Sequence, residues 1–380
     1  MTSTETEISA DTIKVMIADD SSVVRGLVTR AIESNPLIKV VTSVSDGQMA
    51  VNSLARHPVD VIILDVEMPV MDGLTAIPKL LAVNPTVRII IASTLSIKNA
   101  EVSLRAIELG AADYIAKPTA REISGAMSFK DDLIAKITVH GTASRAGNAR
   151  RRGDTIITPA SGTKTAAPTA MSRPPVTDKI TLRPMPQTKP ELIAIGSSTG
   201  GPQALFNVIK TLGTLPQPVI ITQHMPPNFT TILAEHISRQ CNVTCVEARD
   251  GMELEGGVYY IAPGDYHMLP VKRIGRTVLT LNQDPHENFC RPAVDPMLRA
   301  ASAIYGNKLL TVILTGMGQD GWKGSEAAVA AGGAVIAQDE ASSVVWGMPA
   351  AVARAGLCSA VLPLNDIGGS VRRIAQGAPT

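Results

Sequence analysis

The chain is poor in the features that mark secreted, membrane-spanning or nucleic-acid-binding proteins. Its apolar runs, such as VDVIILDV and KLLTVILTG, have strand length and fall far short of the roughly 20 residues that cross a bilayer. The first residues, MTSTETEISAD, are polar and slightly acidic, with neither the basic start nor the apolar centre of a secretory signal. Charge of one sign is missing too: the formal net charge is +1, whereas a protein that binds a phosphate backbone displays a clear basic excess. The four cysteines, Cys241, Cys245, Cys290 and Cys358, have no paired CxxC spacing, which predicts free thiols and argues against zinc and disulfides. No repeat at solenoid or propeller periods is visible. Together these absences predict a cytoplasmic globular protein with no membrane insertion and no nucleic-acid partner.

What is present is a twofold α/β pattern. At 380 residues the chain suits two domains of ordinary size. From Ile13 to about 135, the apolar runs IKVMIAD, VDVIILD, VRIIIAS and ADYIAK alternate with segments of helical period, which predicts a doubly wound parallel sheet. A second α/β pattern, ELIAIG, PVIITQH, GVYYIAP and KLLTVILTG, fills 190–377. Between them, 136–189 reads as a flexible linker: from about 141 it is rich in Pro, Thr, Ala and Arg, with nine Lys or Arg against two Asp and almost no apolar period. The cluster Arg150-Arg151-Arg152 inside it reads as a solvated basic run.

In the first domain, one strand ends in Asp19-Asp20 and another in Asp65, at the strand edge where open α/β sheets hold their ligands. Crowded carboxylates repel one another, and a hard divalent cation such as Mg²⁺ relieves the repulsion while screening an incoming phosphoryl group. Ser93 and Lys117 end two further strands and offer a hydroxyl and an ammonium to phosphoryl oxygens. Taken singly, such an Asp is a common helix cap and such a Lys an exposed turn; four strand ends converging on one chemistry favour a phosphoryl-accepting site, with Asp65 as nucleophile. The set DD, LDVEMPVMDGL, AS and ADYIAKP resembles the response-regulator receiver family over 13–135. That resemblance implies a flavodoxin-like fold, Asp19 and Asp20 as the acidic metal pair, Asp65 as phosphoryl acceptor and the backbone of Glu67 as a further metal ligand. It also implies Ser93 as the hydroxyl switch, Tyr114 as the aromatic switch and Lys117 as the phosphoryl-binding lysine.

In the second domain, ELIAIG runs into Gly196-Ser197-Ser198-Thr199-Gly200-Gly201, a G-x-S-x-G turn in which glycines permit a sharp strand-to-helix bend that exposes Ser198. The helix expected over about 201–212 aims its positive end at that hydroxyl. The turn lacks both a dinucleotide fingerprint and a P-loop lysine. Of the six histidines, His224 alone ends a well-formed strand, directly after the serine unit, and it is the candidate general base. His267 and His286 rank below it, His57 and His140 go with the receiver or its exit, and His236, mid-helix, is expected at the surface. Asp320, in a Gly-rich loop after KLLTVILTG, is the candidate orienter, with a helix cap as the competing role.

The order Ser…His…Asp, without an HGGG motif, departs from the α/β-hydrolases. Instead IGSSTGG, TQHMP, YIAPGDYHM and LTGMGQDG resemble the chemotaxis protein-glutamate methylesterase family over roughly 190–377. This implies a Rossmann-like serine esterase, with Ser198 as nucleophile, His224 as base and Asp320 as orienter. Met317 would lend a backbone N–H to the oxyanion hole, and Thr199 would help hold the histidine. The implied reaction is cofactor-free hydrolysis of glutamate methyl esters on chemoreceptors, and of receptor glutamines in many members; the implied phosphoryl donor is a histidine kinase. Two rivals fare worse. A DNA-binding output would need a basic recognition helix, and a non-catalytic adaptor would not need Ser198, His224 and Asp320 together.

Overall fold

The structure is a computed structural model that describes residues 12–93, 97–117, 127–152 and 180–377. It divides into two compact units, one on each side of the undescribed stretch 153–179, which is half of the expected linker; residues 1–11 also lie outside the described residues.

In the first unit, β1 (Ile13–Ala18), β2 (Ile38–Val44), β3 (Val61–Asp65), β4 (Arg88–Ser93) and β5 (Asp113–Ala116) form a sheet of order β2-β1-β3-β4-β5, every pair parallel. Helices α1 (Ser22–Ile32), α2 (Gly47–Arg56), α3 (Gly73–Val83) and α4 (Ile97–Glu108) alternate with the strands, and α5 (Met127–Arg152) follows them. Helices on both faces explain why the strands read as unbroken apolar runs; Ile89, Ile90 and Ile91 in succession are all fully buried. Asp46 and Asp72 cap α2 and α3, accepting from the N–H groups of Met49 and Thr75 at 2.8 and 2.7 Å, so these carboxylates are spent on helix starts.

The linker expectation needs correction at both ends. Helix α5 continues to Arg152, well beyond 136, because its early turns bury Leu133, Ile137 and His140 and tertiary packing overrides the weak apolar period. At the other end, the Arg183 N–H donates to the Cys358 carbonyl at 2.8 Å, so part of 180–189 lies against the second unit.

The second unit is built on β6 (Leu192–Ser197), β7 (Val219–Gln223), β8 (Thr244–Glu247), β9 (Val258–Ile261), β12 (Leu309–Ile313), β13 (Ala334–Gln338) and β14 (Ala360–Leu362), in the order β14-β13-β12-β6-β7-β9-β8. All its pairs are parallel. It is flanked by α6 (Gly201–Leu212), α7 (Phe229–Cys241), α8 (Val294–Tyr305), α9 (Trp322–Ala330), α10 (Met348–Arg354) and α11 (Leu364–Gln376). An antiparallel hairpin, β10 (His267–Arg273) with β11 (Arg276–Asn282), stands apart from this sheet. It turns through Ile274 and Gly275, both at positive φ, the geometry of a two-residue hairpin loop. Isoleucine is an unusual residue for that position, which is why the turn gives little signal in the sequence. The strand order reverses around β6, with β12 on one side and β7 on the other, and such a switch point opens a crevice at the carboxyl ends of the strands.

Candidate active site and phosphoryl-acceptor site

Ser198, His224 and Asp320 follow β6, β7 and β12, three adjacent strands at this switch point. The parallel register pairs Ser197 with Gln223, so Ser198 and His224 leave the sheet side by side. The Ser198 N–H donates to the Thr315 carbonyl at 3.0 Å, tying the serine to the strand end that leads to Asp320. Two glycines make the turn possible. A Cβ on Gly201 would lie 1.9 Å from Gln223 Oε1, and one on Gly316 would lie 2.3 Å from Met348 Sδ and 2.9 Å from Ser198 Cβ. Helix α6 starts at Gly201, as the sequence predicts, and Gly200 before it takes a left-handed φ of 74°.

Buried Gln223 is a clamp that motif reading missed. Its Oε1 accepts from Ser197 Oγ at 2.7 Å, and its Nε2 donates to the carbonyls of Ser198 and His224 at 3.0 and 3.2 Å. One side chain therefore fixes the spacing of the serine and histidine backbones.

Asp320 is almost fully buried and collects several donors. Its Oδ2 accepts from His224 Nε2 at 2.7 Å and the Val294 N–H at 2.6 Å. Its Oδ1 accepts from Asn288 Nδ2 and the N–H groups of Asp295 and Gly321, at 2.9 to 3.0 Å. These bonds and the charge of His224 outweigh burial and hold the Asp320 carboxyl below its usual range. The capping alternative is partly realised, because Asp320 caps α8, whose own N-cap Ala293 offers no side chain. Asp295, the buried second residue of α8, shares Asn288 with Asp320 and accepts from the Gly324 N–H. Burial and the Asp320 charge raise its carboxyl above the ordinary range.

With Nε2 committed to Asp320, Nδ1 is the imidazole nitrogen left for another partner. Among the described residues its hydrogen-bond partner is Cys290 Sγ at 3.3 Å. Burial disfavours the imidazolium, but the Cys290 sulfur and the Asp320 carboxylate outweigh it and raise the proton affinity of His224 above the ordinary histidine range. Thr199 is buried and its carbonyl accepts from Thr315 Oγ1 at 2.9 Å; Met317 lies exposed in the loop before Asp320.

The other histidines sort by burial. His267 is buried, accepting from the Ala293 N–H at 3.2 Å through Nδ1 and lying 3.1 Å from the Pro285 carbonyl through Nε2, so its ring is held structurally. His236 corrects the sequence expectation of a surface role: it is buried in α7, on the face that packs inward. His140, at the receiver exit, is buried against Asp113.

In the first unit, carboxylate oxygens of Asp19, Asp20 and Asp65 all lie within 4.8 Å of one another. Lys117 Nζ bridges Asp19 and Asp65 at 2.7 and 2.8 Å. Burial, helped by the Asp19 charge and opposed by Lys117, raises the Asp65 carboxyl. Ser93 is buried at the end of β4, and its carbonyl accepts from the Lys117 N–H at 2.7 Å. Tyr114 is buried in β5, with Lys136 of α5 5.4 Å over its ring. Glu67 is exposed two residues past Asp65.

A parallel α/β unit with an acidic pocket, joined to a second one that gathers serine, histidine and aspartate at neighbouring strand ends, defines a receiver-coupled hydrolase. The comparisons with known proteins give the family. Residues 193–371 match the CheB methylesterase family and residues 15–126 the response regulator receiver domain. The chain is 55% identical over 96% of its length to the protein-glutamate methylesterase/protein-glutamine glutaminase of group 2 operon of Rhodospirillum centenum, spanning 95% of that relative. It is 58% identical over 97% of its length to the protein-glutamate methylesterase/protein-glutamine glutaminase of Azospirillum brasilense, spanning 94% of that one. The solved Thermotoga maritima CheB methylesterase catalytic domain is 41% identical, matching 49% of this chain and 100% of its own, with a TM-score of 0.48. The chain belongs to the CheB methylesterase family and carries a receiver domain at its N-terminal side. Among the described residues, no helix is long and apolar enough to cross a membrane.

Proposed function

We propose that the chain hydrolyses methyl esters of glutamate side chains on chemoreceptors, under control of phosphorylation at Asp65 by a histidine kinase. The observation that carries the esterase reading is the buried His224–Asp320 bond, 2.7 Å long, beside the turn that presents Ser198. In this reading His224 Nδ1 takes the Ser198 proton as Oγ attacks the γ-carbonyl, and the N-terminus of α6 and the loop backbone at Met317 stabilise the oxyanion. His224 then returns the proton to the leaving methanol, and a water activated at the same nitrogen releases the glutamate. Asp320 keeps the imidazole oriented and stabilises its charged form. A glutamine would follow the same steps with ammonia as the leaving group, and the curated relatives carry both activities in their names.

For the receiver, the donor set of three clustered carboxylates and no sulfur or nitrogen ligand fits a hard cation such as Mg²⁺. Asp19, Asp20 and Asp65 would hold it, with the Glu67 backbone, and it would screen the charge of the phosphoryl oxygens. Lys117 neutralises the same pocket, and Ser93 and Tyr114 are the groups that would respond to phosphoryl on Asp65. The test is methanol release from methylated receptor membranes. Ser198→Ala should abolish it while leaving the melting temperature near wild type, since the change removes one hydroxyl and creates almost no cavity. Substantial turnover by the purified variant would remove Ser198 from the chemistry.

A further inference from the structure

The turn between β11 and α8 reaches both partners of the histidine–aspartate pair. Asn288 Nδ2 donates to Asp320 Oδ1 at 3.0 Å, and two residues on, Cys290 Sγ meets His224 Nδ1 at 3.3 Å. The turn is closed by reciprocal backbone bonds between Glu287 and Cys290 and tied to α8 by an ion pair between Glu287 and Arg299. Asn288 and Phe289 both take left-handed φ, 51° and 63°, and Phe289 is 92% exposed. Non-glycine residues at such φ values are strained and persist only where their surroundings impose them. Here the strain leaves Phe289 in solvent and directs the residues on either side of it to the catalytic pair.

We propose that Cys290 is a positioning residue for His224: in the resting site it holds the imidazole by Nδ1, the nitrogen that Ser198 must use, and so sets how readily that nitrogen is free to take the serine proton. This rests on the esterase reading above and adds a residue to it. The geometry has a direct consequence. Nε2 is bound to Asp320, so in the protonated ring the Nδ1–H donates to the Cys290 sulfur, and Cys290 favours the charged ring and tunes the base without touching the ester. Among the described residues, the charged and polar groups around the imidazole are the Asp320 carboxylate from the loop after β12, the Cys290 sulfur from the turn and, behind Asp320, the α8 residues Asp295 and Arg299. Of the two neighbours that favour the charged ring, Asp320 is needed for orientation, whereas Cys290 can be removed alone. It is only partly buried, so its truncation leaves little cavity.

The experiment is a titration of His224 by nitrogen NMR in full-length protein labelled at histidine, with the signal assigned by its loss in His224→Gln. Because Cys290 favours the protonated ring, Cys290→Ala should lower the midpoint by about one pH unit, a tenfold change in the ratio of neutral to charged imidazole. Cys290→Ser, which keeps a hydrogen-bonding group in place, should fall between the two. The acid limb of kcat/KM for methanol release should move to lower pH in the same order. An alanine midpoint equal to that of wild type, whatever happens to the rate, would overturn the proposal, as would a serine midpoint no closer to wild type than the alanine one. A rate lowered equally at all pH values with the midpoint unmoved would assign Cys290 a structural role only. Should the wild-type protein release no methanol, the esterase reading falls, while the midpoints still decide on Cys290.

Discussion

In the proposed reaction His224 can act as base only while Nδ1 is unprotonated, and its neighbours raise its proton affinity in spite of burial. The neutral form therefore appears above the ordinary histidine midpoint of about 6.5. Methanol release should rise with pH through a limb lying above that value, as a profile of kcat/KM against pH would report; a limb below about 6 would contradict the arrangement. Asp320→Asn keeps the size of the side chain but loses the charge that holds the tautomer, and it should lower kcat by about 10⁴, the cost of the equivalent change in the best-studied serine triad. It should also destabilise the protein, since the carboxylate serves three backbone N–H groups and Asn288 besides the imidazole.

At the scale of elements, the β6–α6 turn is held by close approach. Inside a helix, alanine is ordinarily favoured over glycine by about 1 kcal/mol. At Gly201 the added Cβ would fall 1.9 Å from Gln223 Oε1 and must break the clamp between the ends of β6 and β7. Gly201→Ala should thus lose about 1–3 kcal/mol of stability, read from denaturant midpoints, and reduce esterase activity with it. In the receiver, β5 and α5 are joined by Asp113, which pairs with Lys136 at 3.0 Å and His140 at 3.2 Å. Burial opposes the Asp113 charge, but Lys136 and His140 outweigh it and hold its carboxyl at about 2. With the folded value below the unfolded one, near 3.9, this stabilisation is complete above about pH 4 and is lost as pH falls through about 2. Asp113→Asn should destabilise the receiver by about 3 kcal/mol near neutrality, and the gap from wild type should close as unfolding is followed towards pH 2.

For the whole molecule, the two units have separate chemistries, so each can be blocked alone. Acetyl phosphate with Mg²⁺ should place one phosphoryl group on the full chain and none on Asp65→Asn, measured by mass or radiolabel. The same treatment should change methanol release by wild type and leave Asp65→Asn unaffected. A tenfold activation would require phosphorylation to favour the active state by about 1.4 kcal/mol. Label persisting in Asp65→Asn would assign the acceptor elsewhere.

Much of this was legible from residue order, because parallel strands buried on both faces need unbroken apolar runs, and such sheets present their chemistry at the strand ends. Asp19, Asp65, Ser198, His224 and Asp320 each follow such a run, and local pattern alone determined the two α/β units, the serine turn, the start of α6 and the carboxylate cluster. Tertiary structure decided the rest. Gln223 looks like an ordinary strand terminus until β6 lies beside β7. Asn288, Cys290 and Asp295 come from a turn and a helix start with no motif, and they reach the site only because α8 packs its N-terminus on Asp320. His236 and His140 are buried by packing that helical period did not foretell, and α5 runs on to Arg152 because its early turns lie on the sheet. Periodicity records which face a residue turns to the core. Which atoms then meet across 25 to 98 positions of chain depends on strand order and helix docking, and those are settled only when the sheets assemble.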